Sequence, residues 1–228
     1  MIRYLLPLFA GMVVGLLLLF GFLYYNPMLA ANNLSPIAVT ENEVVRLNYS
    51  AVAQDALIYT NDGESQIAPN PAKVQQLWEA PVRLTTAMAT VLTDGRGQVA
   101  GIGVKFSSRS DKTSILHGKV LVDSVWHIYL PGRGSLFIEQ SENYWSYIRD
   151  IVVPARWSSG DNWRGSWLGN ITAGPGALGT AAVTGGSGQF EYMITEGVEL
   201  FSAKAYSVEQ GPVAMTSELA IEIPRLKD

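Results

Sequence analysis

The side chains best suited to acid–base chemistry lie in the segment SLFIEQSENYW. It places Glu139 and Glu142 beside Tyr144 and Trp145. A carboxyl group held against aromatic rings loses hydration, and the raised pKa that results suits a general acid or base. Glu139 is therefore the first candidate for a catalytic residue. The commoner arrangement, in which such glutamates face solvent from a strand edge, is the alternative.

The histidines do not suggest a metal centre. The chain has two of them, His117 and His127, and no cysteine. On one unbroken strand the two rings would lie roughly 33 Å apart, because a strand rises about 3.3 Å per residue. We therefore expect no transition-metal site and no cofactor, and we expect both histidines to face solvent. Carboxylate sites for hard cations stay open.

Tryptophan is concentrated in one short part of the chain. Four of the six tryptophans are Trp145, Trp157, Trp163 and Trp167, and Arg164 lies among them. Aromatic rings beside guanidinium groups can hold an apolar ligand, a sugar face or lipid headgroups. These five residues are the predicted ligand contacts. The long connection VVPARWSSGDNWRGSW, which contains all of them except Trp145, would cover a cavity as a lid. Packing at the rim of a barrel is the alternative.

Two glycine-rich stretches resemble functional motifs but lack the context those motifs need. GPGALG at 174–179 has the dinucleotide-binding pattern, yet the glycines that follow disfavour the helix which must receive the phosphates. Ser187 in GGSGQ lacks the final glycine of a nucleophile elbow, because a glutamine stands there. We therefore assign Gly185, Gly186 and Gly188 a structural role, in which they let a strand kink or approach another backbone closely.

The stretch AAVTGGSGQFEYMITEGVEL (Ala181–Leu200) resembles a segment shared by allene oxide cyclases and dirigent proteins. The resemblance rests on a strand of small and β-branched residues, then Gly-Gly-Ser-Gly-x-Phe ending at Phe190, then a strand that reaches Gly197. It implies an eight-stranded antiparallel barrel with an apolar internal cavity. The pocket residues of the cyclases lie outside this stretch, so the resemblance carries over no catalytic residue.

Elsewhere the pattern is mostly that of antiparallel strands. VAMTSELAIEI and ILHGKVLVDSVWHIYL alternate apolar and polar residues, as half-buried strands do. TDGRGQ at 93–98 and PGRG at 131–134 are hairpin turns by composition. NPAKVQQLWEA at 70–80 predicts a helix, whereas NYWSYIRDIV at 143–152 suits a helix or a strand. The sequence thus predicts an all-β fold, an antiparallel β-barrel of about eight strands, with a sandwich as the alternative.

The N-terminal segment has the composition of a membrane anchor. Tyr4–Tyr25 contains no charged residue, Arg3 precedes it, and no further Lys or Arg occurs before Arg46. This asymmetry predicts a cytoplasmic N-terminus and a periplasmic or extracellular C-terminal domain. A cleaved signal peptide, with small residues at Ala30 and Ala31, is the alternative. The predicted organisation is a transmembrane anchor at 1–25, a tether at 26–36 and a barrel domain at 37–228.

Charge and glycine spacing bear on possible partners. The net charge of −4 and the lack of a basic cluster argue against a nucleic-acid partner. Gly11 and Gly15 form a G-x-x-x-G pair that would permit close contact between two anchor helices, and so a homo-oligomer.

Three functions fit these observations. The favoured one is a membrane-anchored barrel outside the cytoplasm that binds a small apolar ligand in its cavity. The second is a cyclase or isomerase that works by shaping that cavity, since conformational restraint alone can lower a barrier. The third is an accessory subunit on which a membrane complex docks.

Overall fold

The computed structural model describes residues 2–25, 42–52, 57–58 and 85–224. Its first element is the helix α1 (Ile2–Tyr25). The part of α1 from Pro7 to Tyr25 has a mean hydropathy of 2.2 and is long and apolar enough to cross a membrane, a test that a signal sequence also passes. The helix predicted at 70–80 lies outside the described residues.

The other long elements among the described residues are strands, and every pairing between these strands is antiparallel. They are β1 (Glu43–Ser50), β2 (Leu57–Ile58), β3 (Thr86–Thr93), β4 (Val99–Arg109), β5 (Leu121–Leu130), β6 (Gly134–Asn143), β7 (Asn162–Asn170), β8 (Ala181–Gly188), β9 (Ile194–Ser207) and β10 (Gly211–Ile223).

The strands close into a ring. Around it the order is β1, β10, β9, β8, β6, β5, β4 and β3, and the pairing of Asn48 with Thr93 joins β3 back to β1. The predicted antiparallel barrel of about eight strands is therefore confirmed. β2 pairs with β3, and β7 pairs with the second half of β9, where β8 has already ended.

The wall between β6 and β9 is built from two pieces. β8 fills it at one end, and the residues after β7 fill it at the other, where the amide of Asn143 donates to the carbonyl of Ile171 and the amide of Ala173 donates to Ser141. GPGALG lies in the connection between β7 and β8, so it forms a loop between strands as predicted. The hairpin turns at 93–98 and 131–134 are confirmed as well.

The barrel interior is apolar at the end where β5 turns into β6. The buried side chains that fill this end alternate with exposed ones, as expected for strands with one face inward. They form a single cluster that includes Leu47, Leu92, Trp126, Ile128, Leu130, Leu136, Ile138, Phe190, Leu219 and Ile221.

The opposite end, here called the mouth, is partly covered by a helical segment that follows β6. This segment consists of short α-helical turns at Trp145–Tyr147 and Val153–Trp157 with a π-helical turn, Ile148–Val152, between them. Tyr147 and Ile151 pack on Phe201 and Met215 in a second cluster. The segment whose sequence suited either a helix or a strand is thus helical, because its apolar residues recur at helical spacing over the mouth.

The long alternating segment ILHGKVLVDSVWHIYL, whose second part is β5, is not one strand. A short 3-10 turn, Ile115–His117, interrupts it, and Gly118 follows with a φ of 63°. Leu116 is exposed as a result, whereas Trp126 on the regular strand is completely buried.

The three glycines of GGSG lie where backbones meet. A Cβ on Gly185 would stand 1.3 Å from the carbonyl oxygen of Phe190. Gly188 has a φ of +64°, and a Cβ on it would lie 2.3 Å from the carbonyl oxygen of Arg133. A Cβ on Gly186 would meet the ring of Phe137 instead, at 2.6 Å. A structural role therefore has a physical basis at all three positions, and its energetic weight stays a prediction.

Candidate functional site

A layer of polar side chains lies inside the barrel between the apolar end and the mouth. Lys105 on β4, Glu142 on β6 and Glu199 on β9 are its charged members, and both glutamates are completely buried. Lys105 Nζ lies 2.7 Å from Glu142 Oε1 and 3.0 Å from Glu199 Oε1. Buried charges are tolerated only when they are paired and hydrogen-bonded, and this layer meets both conditions.

Glu199 accepts hydrogen bonds on both of its carboxylate oxygens. Besides Lys105, the phenol of Tyr49, the amide of Gln140 and the indole of Trp126 donate to it. Burial acts to raise the pKa of Glu199, but the Lys105 ammonium and these donors offset burial and hold that pKa below its ordinary value. Glu199 is therefore a carboxylate at neutral pH.

Glu142 has its own set of donors. Oε1 forms the ion pair with Lys105 and accepts hydrogen bonds from the hydroxyl of Ser124 and the amide of Gln140, the last at 3.0 Å. Oε2 accepts a hydrogen bond from the phenol of Tyr144. These groups satisfy both oxygens of a side chain that is completely buried.

Lys105 links the two carboxylates from a strand that is distant from theirs in sequence. Burial acts to lower the pKa of Lys105, and the carboxylates of Glu142 and Glu199 more than offset it, so that the pKa lies above its ordinary value. Its ammonium also lies 5.2 Å from the centre of the Trp126 ring. The indole has room in this position because Gly103 on β4 has no side chain, and a Cβ there would stand 2.8 Å from the indole.

A cavity of about 210 Å³ leads from the mouth to this layer. Lys105, Tyr49 and Tyr144 are at its polar floor. Its walls are mainly apolar and aromatic, and they include Ala51, Met88, Tyr147, Phe201, Pro212 and Met215.

The tyrosines at the floor are held in the neutral form. Burial, followed by the charge of the neighbouring carboxylate, raises the pKa of Tyr49 and of Tyr144 well above the ordinary value. Each phenol uses its single O–H group to donate a hydrogen bond to a glutamate, Tyr49 to Glu199 and Tyr144 to Glu142. Tyr147 differs, because its buried hydroxyl has no hydrogen-bond partner within the described part of the chain.

Glu139, the first sequence candidate for catalysis, lies on the outer face of β6. Its side chain is exposed, whereas its neighbours Gln140 and Glu142 point inward or are buried within the layer. It lines an outer groove of about 440 Å³ together with Asp123 and Phe106. The carboxylate of this segment that enters the barrel is therefore Glu142.

The predicted ligand contacts lie around the helical segment, and none of them is among the described residues that line the mouth cavity. Trp163 and Trp167 are half-buried and pack against the second cluster. Trp157 is 79% exposed, and its ring centre lies 6.3 Å from that of Tyr24 at the end of α1. Trp145 is half-buried, and Arg164 is exposed on β7.

The histidines face outward, as predicted. His127 stacks on Phe137, with ring centres 4.6 Å apart, on the outside of the barrel. His117 is exposed in the 3-10 turn, where its Nδ1 lies 2.7 Å from the hydroxyl oxygen of Ser114. Neither ring is part of the polar layer.

Sequence reasoning missed Lys105 and Glu199. The signal that would have found them is parity: each charged residue occupies the inward-facing set of an alternating strand. Lys105 follows Gly101 and Gly103 at spacings of two, and Glu199 precedes Phe201 and Ala203 in the same way, all of them buried.

Comparison with known proteins finds only distant structural similarity. No protein-family model matches the sequence, and no curated protein matches it either. The Diels-Alderase AbmU from Streptomyces koyangensis is 13% identical, with a TM-score of 0.36 and coverage of 90% of this chain and 85% of that chain. A nonspecific heme-binding cyclase that catalyses a 4 + 2 cycloaddition during neoabyssomicin biosynthesis is 12% identical, with a TM-score of 0.35 and coverage of 84% and 74%.

At these TM-scores the likeness carries no argument about fold, ligand or reaction. The case for function therefore rests on the cavity and the polar layer beneath it.

Proposed function

We propose that this protein is a membrane-anchored barrel that binds a small, largely apolar molecule in its mouth cavity, outside the cytoplasm. The observation that carries the proposal is the cavity itself, about 210 Å³ in volume, with apolar and aromatic walls and a floor of fixed polar groups. Binding sites for small molecules have this composition, in which apolar walls supply affinity and a few polar groups orient the ligand.

The anchor part of the proposal is supported by α1 and by its contact with the domain. Tyr24, near the end of α1, lies against Trp157 of the helical segment that covers the mouth. Tyrosine and tryptophan are favoured at membrane–water interfaces. The mouth then lies near the bilayer surface, where apolar molecules are concentrated.

The test compares ligand retention in the full chain and in a variant with an occluded cavity. Ala51→Trp places a large ring in the cavity wall, and Val91→Trp, on the exposed outer face of β3, is the matched control. Each protein is purified in dodecyl maltoside and extracted with organic solvent, and the extract is analysed by mass spectrometry. We expect a compound that the wild type and Val91→Trp retain and Ala51→Trp loses. Equal extracts from all three proteins would contradict the proposal.

A cyclase or isomerase is the second candidate, and the Tyr144–Glu142 hydrogen bond is the observation that favours it. The phenol lines the cavity, and the carboxylate behind it can accept the phenolic proton. Such a pair can move a proton to or from a bound molecule. The test is to incubate the protein with the retained compound: a product isomeric with that compound, formed by the wild type and not by Tyr144→Phe, would establish catalysis.

A further inference from the structure

The charges of the polar layer do not balance. Two carboxylates, Glu142 and Glu199, face one ammonium, Lys105, so the layer carries one net negative charge. Among the described residues, no other ammonium or guanidinium group lies within ion-pair distance of either carboxylate.

The donors around the layer do not remove this charge. Tyr49 and Tyr144 remain neutral when they donate, and so do the hydroxyl of Ser124 and the amide of Gln140. The ammonium of Lys105 is itself directed at carboxylate oxygens, at 2.7 to 3.1 Å. Within the described part of the chain, nothing offsets the excess charge beneath the cavity floor.

The floor holds the Lys105 ammonium, whose donors are directed at carboxylate oxygens, and phenol oxygens that can accept a hydrogen bond from a ligand. Tyr49 and Tyr144 keep their protons and direct their only O–H groups at glutamates, so in this arrangement their oxygens act as acceptors toward a molecule in the cavity. Tyr147 is nine-tenths buried, lines the same cavity and has a hydroxyl without a partner in the described chain. A buried polar group of this kind is normally satisfied, and a bound molecule would satisfy it.

The walls near the floor are aromatic. The ring centre of Tyr144 lies 6.4 Å from that of Tyr147 and 5.9 Å from that of Phe201, with the rings edge to face. The faces of such rings attract cations. Acceptor oxygens, aromatic faces and a net negative charge therefore all favour the same kind of ligand group.

We infer that the ligand of the mouth cavity has a positively charged amine on an apolar body, and that the amine lies at the floor against Tyr49, Tyr144 and Tyr147. This inference rests on the proposed function and specifies its ligand class. An anionic ligand would place like charge beside the two carboxylates, and a neutral one would leave the excess charge uncompensated.

The test uses three probes that share one aromatic body: 2-phenylethylamine, which is cationic at pH 7.5, 2-phenylethanol, which is neutral, and phenylacetate, which is anionic. Each is titrated calorimetrically into the full chain in dodecyl maltoside. The same titrations into Ala51→Trp, whose cavity is filled, measure the heat of partitioning into micelles. We expect the amine to bind at least about tenfold more tightly than the alcohol, which corresponds to 1.4 kcal/mol. Phenylacetate should give the same heat with the wild type as with Ala51→Trp.

Tyr147→Phe separates a ligand contact from a structural role. The variant removes only the unpartnered hydroxyl, so we expect the stability of the protein to be unchanged or raised while amine affinity falls several-fold. Equal affinity for the amine and the alcohol, or tighter binding of phenylacetate, would overturn the inference and leave the proposed function standing. Failure of all three probes to bind would overturn both. Unchanged amine affinity in Tyr147→Phe would remove Tyr147 from the site.

Discussion

Lys105 and Glu142 form an ion pair inside the barrel, with Nζ 2.7 Å from Oε1, although they stand on strands that do not pair with each other. β5 lies between β4 and β6 in the ring, so the ion pair spans one intervening strand on the inner face of the barrel.

Removing one partner of this pair should be costly. Lys105→Met leaves two buried carboxylates without a cation, and Glu142→Gln removes a carboxylate that accepts several hydrogen bonds. We expect Lys105→Met to lower the free energy of unfolding by about 3–5 kcal/mol, the usual effect of leaving a buried charge without its partner. Glu142→Gln should cost less, because Lys105 stays paired with Glu199. The measurement is urea denaturation of the full chain in micelles, followed by tryptophan fluorescence. The double variant should lose less than the sum of the single losses, and strict additivity would show that the pair is not coupled.

Stability should depend on pH at both ends of the scale. The pKa of Glu199 is lower in the folded protein than in the unfolded chain, so its contribution is present above about pH 4.3 and is lost as pH falls through the folded value. The pKa values of Tyr49, Tyr144 and Lys105 are raised, so their contribution is complete below about pH 10 and is lost at higher pH. When the free energy of unfolding is measured by denaturation between pH 3 and pH 11, it should be constant over the middle of this range and should fall toward both ends.

Glu199→Gln is the control for the fall at acidic pH. In this variant the free energy of unfolding should fall less steeply at acidic pH. Some pH dependence should remain, because the pKa of Asp123 is also lowered, chiefly by a hydrogen bond from Ser141. An unchanged slope at acidic pH in this variant would mean that Glu199 does not titrate as its surroundings require.

The glycines of GGSG give a prediction about backbone geometry. Gly188→Val should cost about 1–3 kcal/mol, because valine tolerates a positive φ poorly. Gly186→Val should cost less, since its Cβ meets a movable ring rather than backbone. Gly95→Ala, at an open position with nothing near its Cβ, is the control. Denaturation of the four proteins under one condition provides the comparison.

Ser187→Ala should be nearly neutral for stability and for ligand binding. Its hydroxyl is exposed and bonds to Ser135, at 3.1 Å from the amide and 2.9 Å from the hydroxyl. Loss of ligand binding in a stable Ser187→Ala protein would show that this loop belongs to the functional site.

The anchor is testable by fractionation. If α1 stays in the membrane, the chain should remain in the pellet after alkaline carbonate extraction, and externally added protease should reach the barrel domain in spheroplasts. Release of a shortened soluble form would show that α1 is a cleaved signal sequence.

Much of the fold was predictable from local patterns, because alternation and turn composition report directly on strands and hairpins. The barrel's hairpins at 93–98 and 131–134 follow from such signals. The helical segment after β6 was ambiguous, since Trp145–Tyr147 and the apolar residues beyond it suit both periodicities. Contact with Phe201 and Met215 across the mouth decides in favour of helix.

The site was less predictable because its members come from separate strands. Glu142 shares parity with the buried Leu136 and Ile138, so alternation alone could have placed it inside and Glu139 outside. No local pattern, however, pairs Glu142 with Lys105. That partnership follows only from the order of strands around the ring.

The pairing of β1 with β10 has a consequence for how the chain acquires its structure. Residues Glu43 to Ser50 align with Ile223 to Thr216, so among the described strands the first long one to be synthesised is paired by the last. Contacts between distant parts of a chain form slowly, because the intervening segment must be ordered first. Until translation has delivered β10, that edge of β1 lacks this partner and is open to pairing with other chains. The vulnerable period of this protein is therefore its own biosynthesis, and a nascent chain that stalls before residue 211 would be the form most prone to aggregate.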